Sequence, residues 1–236
     1  MSLYKHFSKV YDLFNTNYDW CIQFVEEAIE EHTEGVQSLL ELACGTGNIL
    51  QHFVGKYEVS GLDLSASMLA QAREKLPGVP LYEMDMSAFE LDKTYDAILC
   101  MYDSINHLLE YDDWIGTFNS VRRHLNPGGV FVFDMNTLAR LDHKAQLPRL
   151  VQQEDDAYLI MTVTKRTDRV TNWNVKVFQR VERNLYEFSE EDIEETSFPQ
   201  EKVKEDLEAL FDEVYLHTLE RPPDLVRGRV FFVCKA

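Results

Sequence analysis

The sequence predicts a doubly wound α/β domain, and three observations carry the prediction. Short apolar runs alternate with helical segments through the first half of the chain; a glycine turn joins the first apolar run to a helix; and period-two alternation interrupts this order only after the fifth run.

The elements follow in order. Leu13 to His32 places Trp20, Ile22, Phe24, Val25, Ala28 and Ile29 among acidic residues, the pattern of an amphipathic helix. Val36 to Leu42 is a first strand ending in the glycine turn, and Asn48 to Lys56 reads as a helix. Tyr57 to Leu62 is a second strand, followed by a helix from Ser65 to Leu76 that Pro77 and Gly78 stop. Val79 to Met84, Tyr95 to Met101 and Val130 to Met135 give the third, fourth and fifth strands, with a helix over Tyr111 to Leu125 between the last two. Near-continuous apolar strands separated by helices predict a mostly parallel sheet covered on both faces.

From Ala157 to Phe188 the period changes to two, with Tyr158, Ile160, Thr162 and Thr164 alternating against Leu159, Met161, Val163 and Lys165. This predicts an antiparallel β-meander inserted within residues 137–198. The run Glu190 to Glu195 reads as a solvated acidic loop. A helix over Pro199 to Leu210 and strands at Glu213 to Leu219 and Val230 to Cys234, joined through Pro222 and Pro223, complete the sheet. We expect one domain over residues 1–236, with residues 1–32 as an N-terminal helical cover.

Composition narrows the function. Forty-one acidic against 23 basic residues give a formal charge of −18, which opposes the neutralisation of phosphates that nucleic-acid binding requires. No run approaches the roughly 20 apolar residues that cross a bilayer, and Met1 to Val10 has no apolar signal core, so a cytoplasmic location is expected. Cys21, Cys44, Cys100 and Cys234 are far apart and form no metal-ligand spacing with histidine, so they read as reduced thiols, and no metal is expected.

The chemistry lies at the strand ends. In Leu40-Glu41-Leu42-Ala43-Cys44-Gly45-Thr46-Gly47-Asn48 the glycines let the backbone approach a ligand, and the helix start offers free N–H donors. A dinucleotide fingerprint needs a third glycine where Leu50 stands, and a Walker loop needs Gly-Lys-Ser/Thr, so both fail. Asp63 ends the second strand, 18 residues after Gly45, where a carboxylate can accept both ribose hydroxyls of a nucleoside; Ser65 can cap the following helix. Glu83-Met84-Asp85-Met86 and Met101-Tyr102-Asp103-Ser104-Ile105-Asn106-His107 end the third and fourth strands, and all these ends open onto one crevice.

Taken together, Glu41 to Gly47 resembles the first S-adenosylmethionine (SAM) motif of class I methyltransferases, in an E-x-A-C-G-T-G form where Ala43 replaces a glycine often seen. Leu125-Asn126-Pro127-Gly128-Gly129 resembles the family's L-x-P-G-G turn, and the likeness covers Val36 to Asn136. Tyr4-x-x-Phe7-x-x-x-Tyr11-Asp12 and Tyr102 to Leu108 resemble bacterial small-molecule members that carry a meander after the fifth strand. The resemblance implies a seven-stranded sheet of order 3-2-1-4-5-7-6 with the seventh strand antiparallel. It implies that SAM is bound, with S-adenosylhomocysteine as product, by Tyr11, Glu41, Ala43, Cys44, Gly45, Gly47, Asn48, Asp63, Leu64, Met68, Asp85, Met86, Met101 and Tyr102. Within that set, Asp63 is the ribose acid, Met68 packs on adenine, and Asp85 with Met86 borders the adenine amino group.

The reaction expected is methyl transfer to a small molecule, some relatives of this type acting on amines of sugars or amino acids. A base near the methyl would help an amine or hydroxyl acceptor, and His107, Tyr11 and Asp103 are the candidates, Tyr11 also as a cover and Asp103 also as a helix cap. Methylation of RNA or protein and SAM binding without catalysis are the alternatives, and a monomer or homodimer is expected.

Overall fold

The computed structural model describes residues 4–14, 17–218 and 227–236. The chain opens with a 3-10 turn (Phe7–Lys9), the short helix α1 (Tyr11–Phe14) and α2 (Asp19–His32), then enters β1 (Ser38–Leu42). There follow α3 (Leu50–Phe53), β2 (Glu58–Asp63), α4 (Ala66–Lys75), β3 (Leu81–Glu83) and β4 (Tyr95–Cys100). A 3-10 turn (Ser104–His107) leads to α5 (Tyr111–His124), β5 (Leu125–Asn136) and α6 (Leu138–Lys144). The rest comprises β6 (Leu150–Glu154), β7 (Ala157–Lys165), β8 (Val170–Glu182), β9 (Leu185–Thr196), α7 (Gln200–Glu208), β10 (Glu213–His217) and β11 (Arg229–Lys235).

Seven strands form one sheet in the order β10-β11-β5-β4-β1-β2-β3, with β11 antiparallel to both of its neighbours and the other pairs parallel. This is the expected 3-2-1-4-5-7-6 arrangement read from the other edge. Every residue of β1 is buried, as a strand covered on both faces requires. One core packs Trp114, Phe118 and Leu207 against Phe131, Phe133 and Phe232; the other packs Cys21, Val25 and Ile29 of α2 against Leu39, Leu99 and Phe231.

The second sheet is antiparallel, β6-β7-β8-β9, and begins at Leu150, earlier than the alternation at Ala157 indicates. Its inner face supplies Ala157, Leu159, Val175, Val177 and Ile193 to a third core shared with Phe7 and Val10. The run Glu190 to Glu195 is not a loop. It lies in β9, where Glu190 and Asp192 face outward and are bonded by Asn174, Asn172 and Lys176 of β8, while Ile193 and Glu195 are buried. Cross-strand partners of this kind offset the repulsion that makes an acidic run look unstructured.

Two helices are shorter than their patterns. Leu13 to His32 is divided between α1 and α2, and the helix expected over Asn48 to Lys56 is the single turn α3, because the turn before it extends to Ile49 and Gly55 takes φ 85 just after it. Leu219, Pro222 and Pro223, assigned to the last strands and their connection, lie outside the described residues.

Candidate active site

The carboxyl ends of β1, β2 and β4 open into one pocket. Its lining includes Glu41, Ala43, Cys44, Gly45 and Asn48 from the first strand and turn, Asp63, Leu64 and Met68 from the second, Asp85 and Met86 after the third, and Met101, Tyr102 and His107 after the fourth. Tyr11 closes it from the N-terminal segment. The pocket also takes Tyr4, Tyr18, Thr46, Ile49, Leu62, Ser65, Met84, Ser104 and Leu108. Of these, Tyr4 and Tyr18 come from the aromatic-rich N-terminal segment; Thr46, Ser65, Met84, Ser104 and Leu108 stand inside or beside the quoted stretches without a ligand role, and Ile49 and Leu62 flank them.

The turn after β1 is built on Asp63. Its Oδ2 accepts the Gly45 N–H at 2.8 Å and its Oδ1 accepts the Ser65 N–H at 2.7 Å, so one carboxylate ties the ends of two parallel strands together. Burial raises its pKa against those two bonds. Ser65 caps α4, its Oγ accepting the Met68 N–H at 3.4 Å. Ala43 sits at φ 50, a left-handed conformation that glycine adopts without strain, which explains why glycine is the commoner residue at this motif position.

Two expected site residues stand elsewhere. Gly47 is not in the lining: its φ is 79, its N–H bonds the Cys44 carbonyl at 2.8 Å, and a Cβ there would lie 2.6 Å from Leu76 Cδ1. It is a turn and packing glycine. Asp103 is not in the lining either, and its side chain caps no helix. Its carboxylate pairs with Arg229 at 2.8 Å and accepts a bond from Asn136 at 2.5 Å, so it is committed to a buried network and does not face an acceptor.

That network was not read from the sequence. Asp134, fully buried in β5, accepts the N–H groups of Tyr102 and Asp103 and pairs with Arg229 Nη1. Tyr102 and Asp103 are consecutive non-glycine residues in the left-handed region, φ 64 and 55, and the carboxylate holds them there. The Arg229 guanidinium lies over the rings of Tyr102 and Trp20, at 5.1 and 5.4 Å. Asn136 reaches both Asp103 and Glu195 of β9, and Asn106 is bonded to the Asn136 and Thr196 carbonyls. The signal that could have exposed the network is Asp134 itself, a carboxylate inside an apolar strand that demands a partner.

His107 is held from two sides. Its Nδ1 is 3.3 Å from the Glu194 carbonyl of β9 and its Nε2 is 3.2 Å from the Tyr4 hydroxyl. Burial pushes the Tyr11 hydroxyl well above the usual phenol range, so Tyr11 can donate a bond but is a poor base. Burial likewise pushes the Cys44 thiol up, which removes it as a thiolate nucleophile.

The residues fit an adenosyl ligand with a cationic amino-acid tail. Asp63 ends β2 facing the pocket, Met68 and Met86 offer apolar sulfur-bearing surface, and Glu41 Oε2 is buried with no hydrogen-bond partner. Burial pushes Glu41 well above the carboxylate range, a penalty that a ligand cation would relieve.

Known proteins agree with this architecture. Residues 39–129 match the family model described as "Methyltransferase domain". A dTDP-3-amino-3,4,6-trideoxy-alpha-D-glucopyranose N,N-dimethyltransferase of Streptomyces venezuelae is 35% identical over 130 residues, 53% of this chain and 55% of that protein, so the match spans about half of that relative's length. The putative methyltransferase YqeM of Bacillus subtilis (strain 168) is 29% identical over 86% of this chain and 83% of its own. The crystal structure of Streptomyces venezuelae DesVI superposes with a TM-score of 0.83 at 26% identity, covering 97% of both chains. Residues 39–129 thus match a methyltransferase domain, and over nearly its whole length the chain is similar to a putative methyltransferase and to the fold of DesVI.

Among the described residues no helix is long and apolar enough to cross a membrane.

Proposed function

We propose that the protein transfers a methyl group from SAM to a small-molecule amine. SAM supplies an electrophilic methyl on a cationic sulfonium; the chain's own residues bind it, exclude water and manage the acceptor's proton. In this reading Asp63 receives the ribose hydroxyls, Met68 and Met86 pack on adenine with Asp85 at its edge, and the uncommitted Glu41 oxygen receives the ammonium of the amino-acid tail. Tyr11, Tyr18 and Tyr102 surround the methyl side, and His107 is the base.

The observation that carries the reading is one pocket joining Asp63, the unpartnered Oε2 of Glu41 and His107. Support for an amine comes from the names of the relatives, which include sugar N,N-dimethyltransferases, and from the −18 formal charge, which favours a cationic acceptor over RNA. The cover is proposed to be the N-terminal segment backed by β6–β9, whose last strand meets His107 and Asn136 at the carboxyl edge of β4 and β5. Four buried, free cysteines suit a reducing compartment, so the cytoplasm is proposed.

The test is calorimetry with S-adenosylhomocysteine, followed by transfer of labelled methyl from SAM to a panel of amines, alcohols and carboxylic acids. Saturable binding with transfer to amines is expected. Binding without transfer to any acceptor would favour a SAM-binding protein, and transfer only to carboxylic acids would replace the amine.

A further inference from the structure

We propose that the Tyr4 hydroxyl is a catalytic residue, the first link of a proton relay from the acceptor nitrogen through His107. The inference rests on the amine-methylation reading and adds to it the path of the proton.

The polarity of the chain of bonds is fixed at one end. The Glu194 carbonyl can only accept, so the bond at 3.3 Å places a proton on His107 Nδ1. A neutral imidazole then presents its lone pair at Nε2, and the atom that faces it, at 3.2 Å, is the Tyr4 hydroxyl oxygen. Tyr4 therefore donates to Nε2 and turns its own oxygen lone pairs toward the pocket, which both residues line. An acceptor amine that meets Tyr4 finds a hydrogen-bond acceptor whose proton already points at a base.

Tyr4 is built into this place. It takes φ 62, its ring stacks on Phe7 and meets Tyr11 and His107 edge-on with centroids about 6 Å away, and its carbonyl accepts a bond from Ser67 of α4. Burial, reinforced by Glu195, Asp103, Asp63 and Glu191, pushes its pKa well above the phenol range. The hydroxyl thus keeps its proton until another arrives, as a relay requires and a base in its own right does not.

The step balances. The amine lone pair forms the new N–C bond as the C–S bond breaks, its electron pair remaining on sulfur. The nitrogen's surplus proton moves to Tyr4 Oη as the hydroxyl proton moves to His107 Nε2, leaving a neutral methylated amine, a neutral tyrosine and an imidazolium. The imidazolium is stabilised by its Nδ1–H bond to the Glu194 carbonyl, and it returns its proton to solvent when the cover opens.

The experiment uses the full chain, Tyr4→Phe, His107→Gln and the double variant, with the best amine from the acceptor panel. Tyr4→Phe keeps the ring contacts, so affinity for S-adenosylhomocysteine by calorimetry is expected to stay within twofold of the wild type while kcat falls at least tenfold. The double variant should be no slower than the worse single variant, as for residues acting in one unit. In the protein free of SAM, 15N spectra of labelled histidine should report His107 protonated at Nδ1. Wild-type kcat in Tyr4→Phe, or an Nε2-protonated His107, overturns the relay. Absence of methyl transfer from the wild type to every amine overturns the amine reading, and the relay with it; transfer that persists undiminished in Tyr4→Phe overturns the relay alone.

Discussion

The carboxylate of Asp12 in α1 lies 2.7 Å from the Lys75 ammonium at the end of α4. Its other oxygen accepts bonds from Thr46 at 2.6 Å and Asn48 at 2.7 Å, both on the glycine turn. One side chain thus fastens the N-terminal segment to the turn that lines the pocket. Burial alone would raise the Asp12 pKa, but the bonds from Lys75, Thr46 and Asn48 outweigh it and hold the group below the ordinary carboxylate value. Asp12→Ala should speed S-adenosylhomocysteine dissociation roughly 5- to 10-fold, corresponding to about 1 kcal/mol for lost net hydrogen bonding. Stopped-flow displacement measures it; an unchanged off-rate would show that this contact does not govern the pocket.

Asp63→Ala is expected to weaken SAM and S-adenosylhomocysteine more than tenfold, because losing charge-assisted bonds to ribose costs about 1.5 to 3 kcal/mol. It should also lower the melting temperature, since the Gly45 and Ser65 amides lose their acceptor. Asp63→Asn keeps one oxygen and should fall between the two. Calorimetry with equal affinity in all three proteins would remove Asp63 from the ribose site.

How far the sequence alone reaches can be judged from these same residues. Asp63 and Gly45 could be set on the pocket wall from the sequence because a parallel sheet brings strand ends to one edge, and each strand end is a local pattern, whereas Met68 of α4 was reached only through the family resemblance. Asp12 and Lys75, 63 residues apart, carry no such pattern, and their meeting depends on where α1 settles on α4. Gly47 and Asp103 matched the expected positions in the chain but not the pocket, because a turn glycine and a ligand-facing glycine look alike in sequence, as do a free aspartate and one paired with an arginine 126 residues away. Glu195 was assigned to a loop because alternation is hard to see when both faces of a strand carry acids.

Glu195 makes stability depend on pH. Burial first, then the nearby Asp103, pushes its pKa up to about 8 against the bond from Asn136 and the fields of Arg229 and Arg140. Between its unfolded value near 4.3 and about 8, the unfolded chain has released a proton that the folded chain retains, so stability falls as pH rises through this window. Glu195→Gln removes the proton and should flatten the slope, leaving the variant more stable than the wild type at pH 8 relative to pH 5. Urea unfolding at both values checks the sign, and parallel curves for the two proteins would contradict it.

The last prediction concerns Asp134, which pairs with Arg229 and accepts the amides of Tyr102 and Asp103. Asp134→Ala leaves a buried guanidinium with Asp103 as its remaining carboxylate and two buried amides without an acceptor, so it should destabilise the fold by about 3 to 5 kcal/mol. Replacing both residues with apolar ones, Asp134→Leu with Arg229→Met, removes the guanidinium and leaves Asp103 bonded to Asn136, and it would recover much of that loss if the ion pair were the only role of Asp134. The left-handed conformations of Tyr102 and Asp103 argue otherwise, since the amides that the carboxylate holds remain unpaired in the double variant. The double variant should therefore regain only part of the stability, and its affinity for S-adenosylhomocysteine should stay low because Tyr102 lines the pocket. Chemical unfolding and calorimetry on the two variants separate the roles: full recovery of both stability and affinity would mean that the Asp134 carboxylate serves Arg229 alone and that the loop after β4 holds its shape without it.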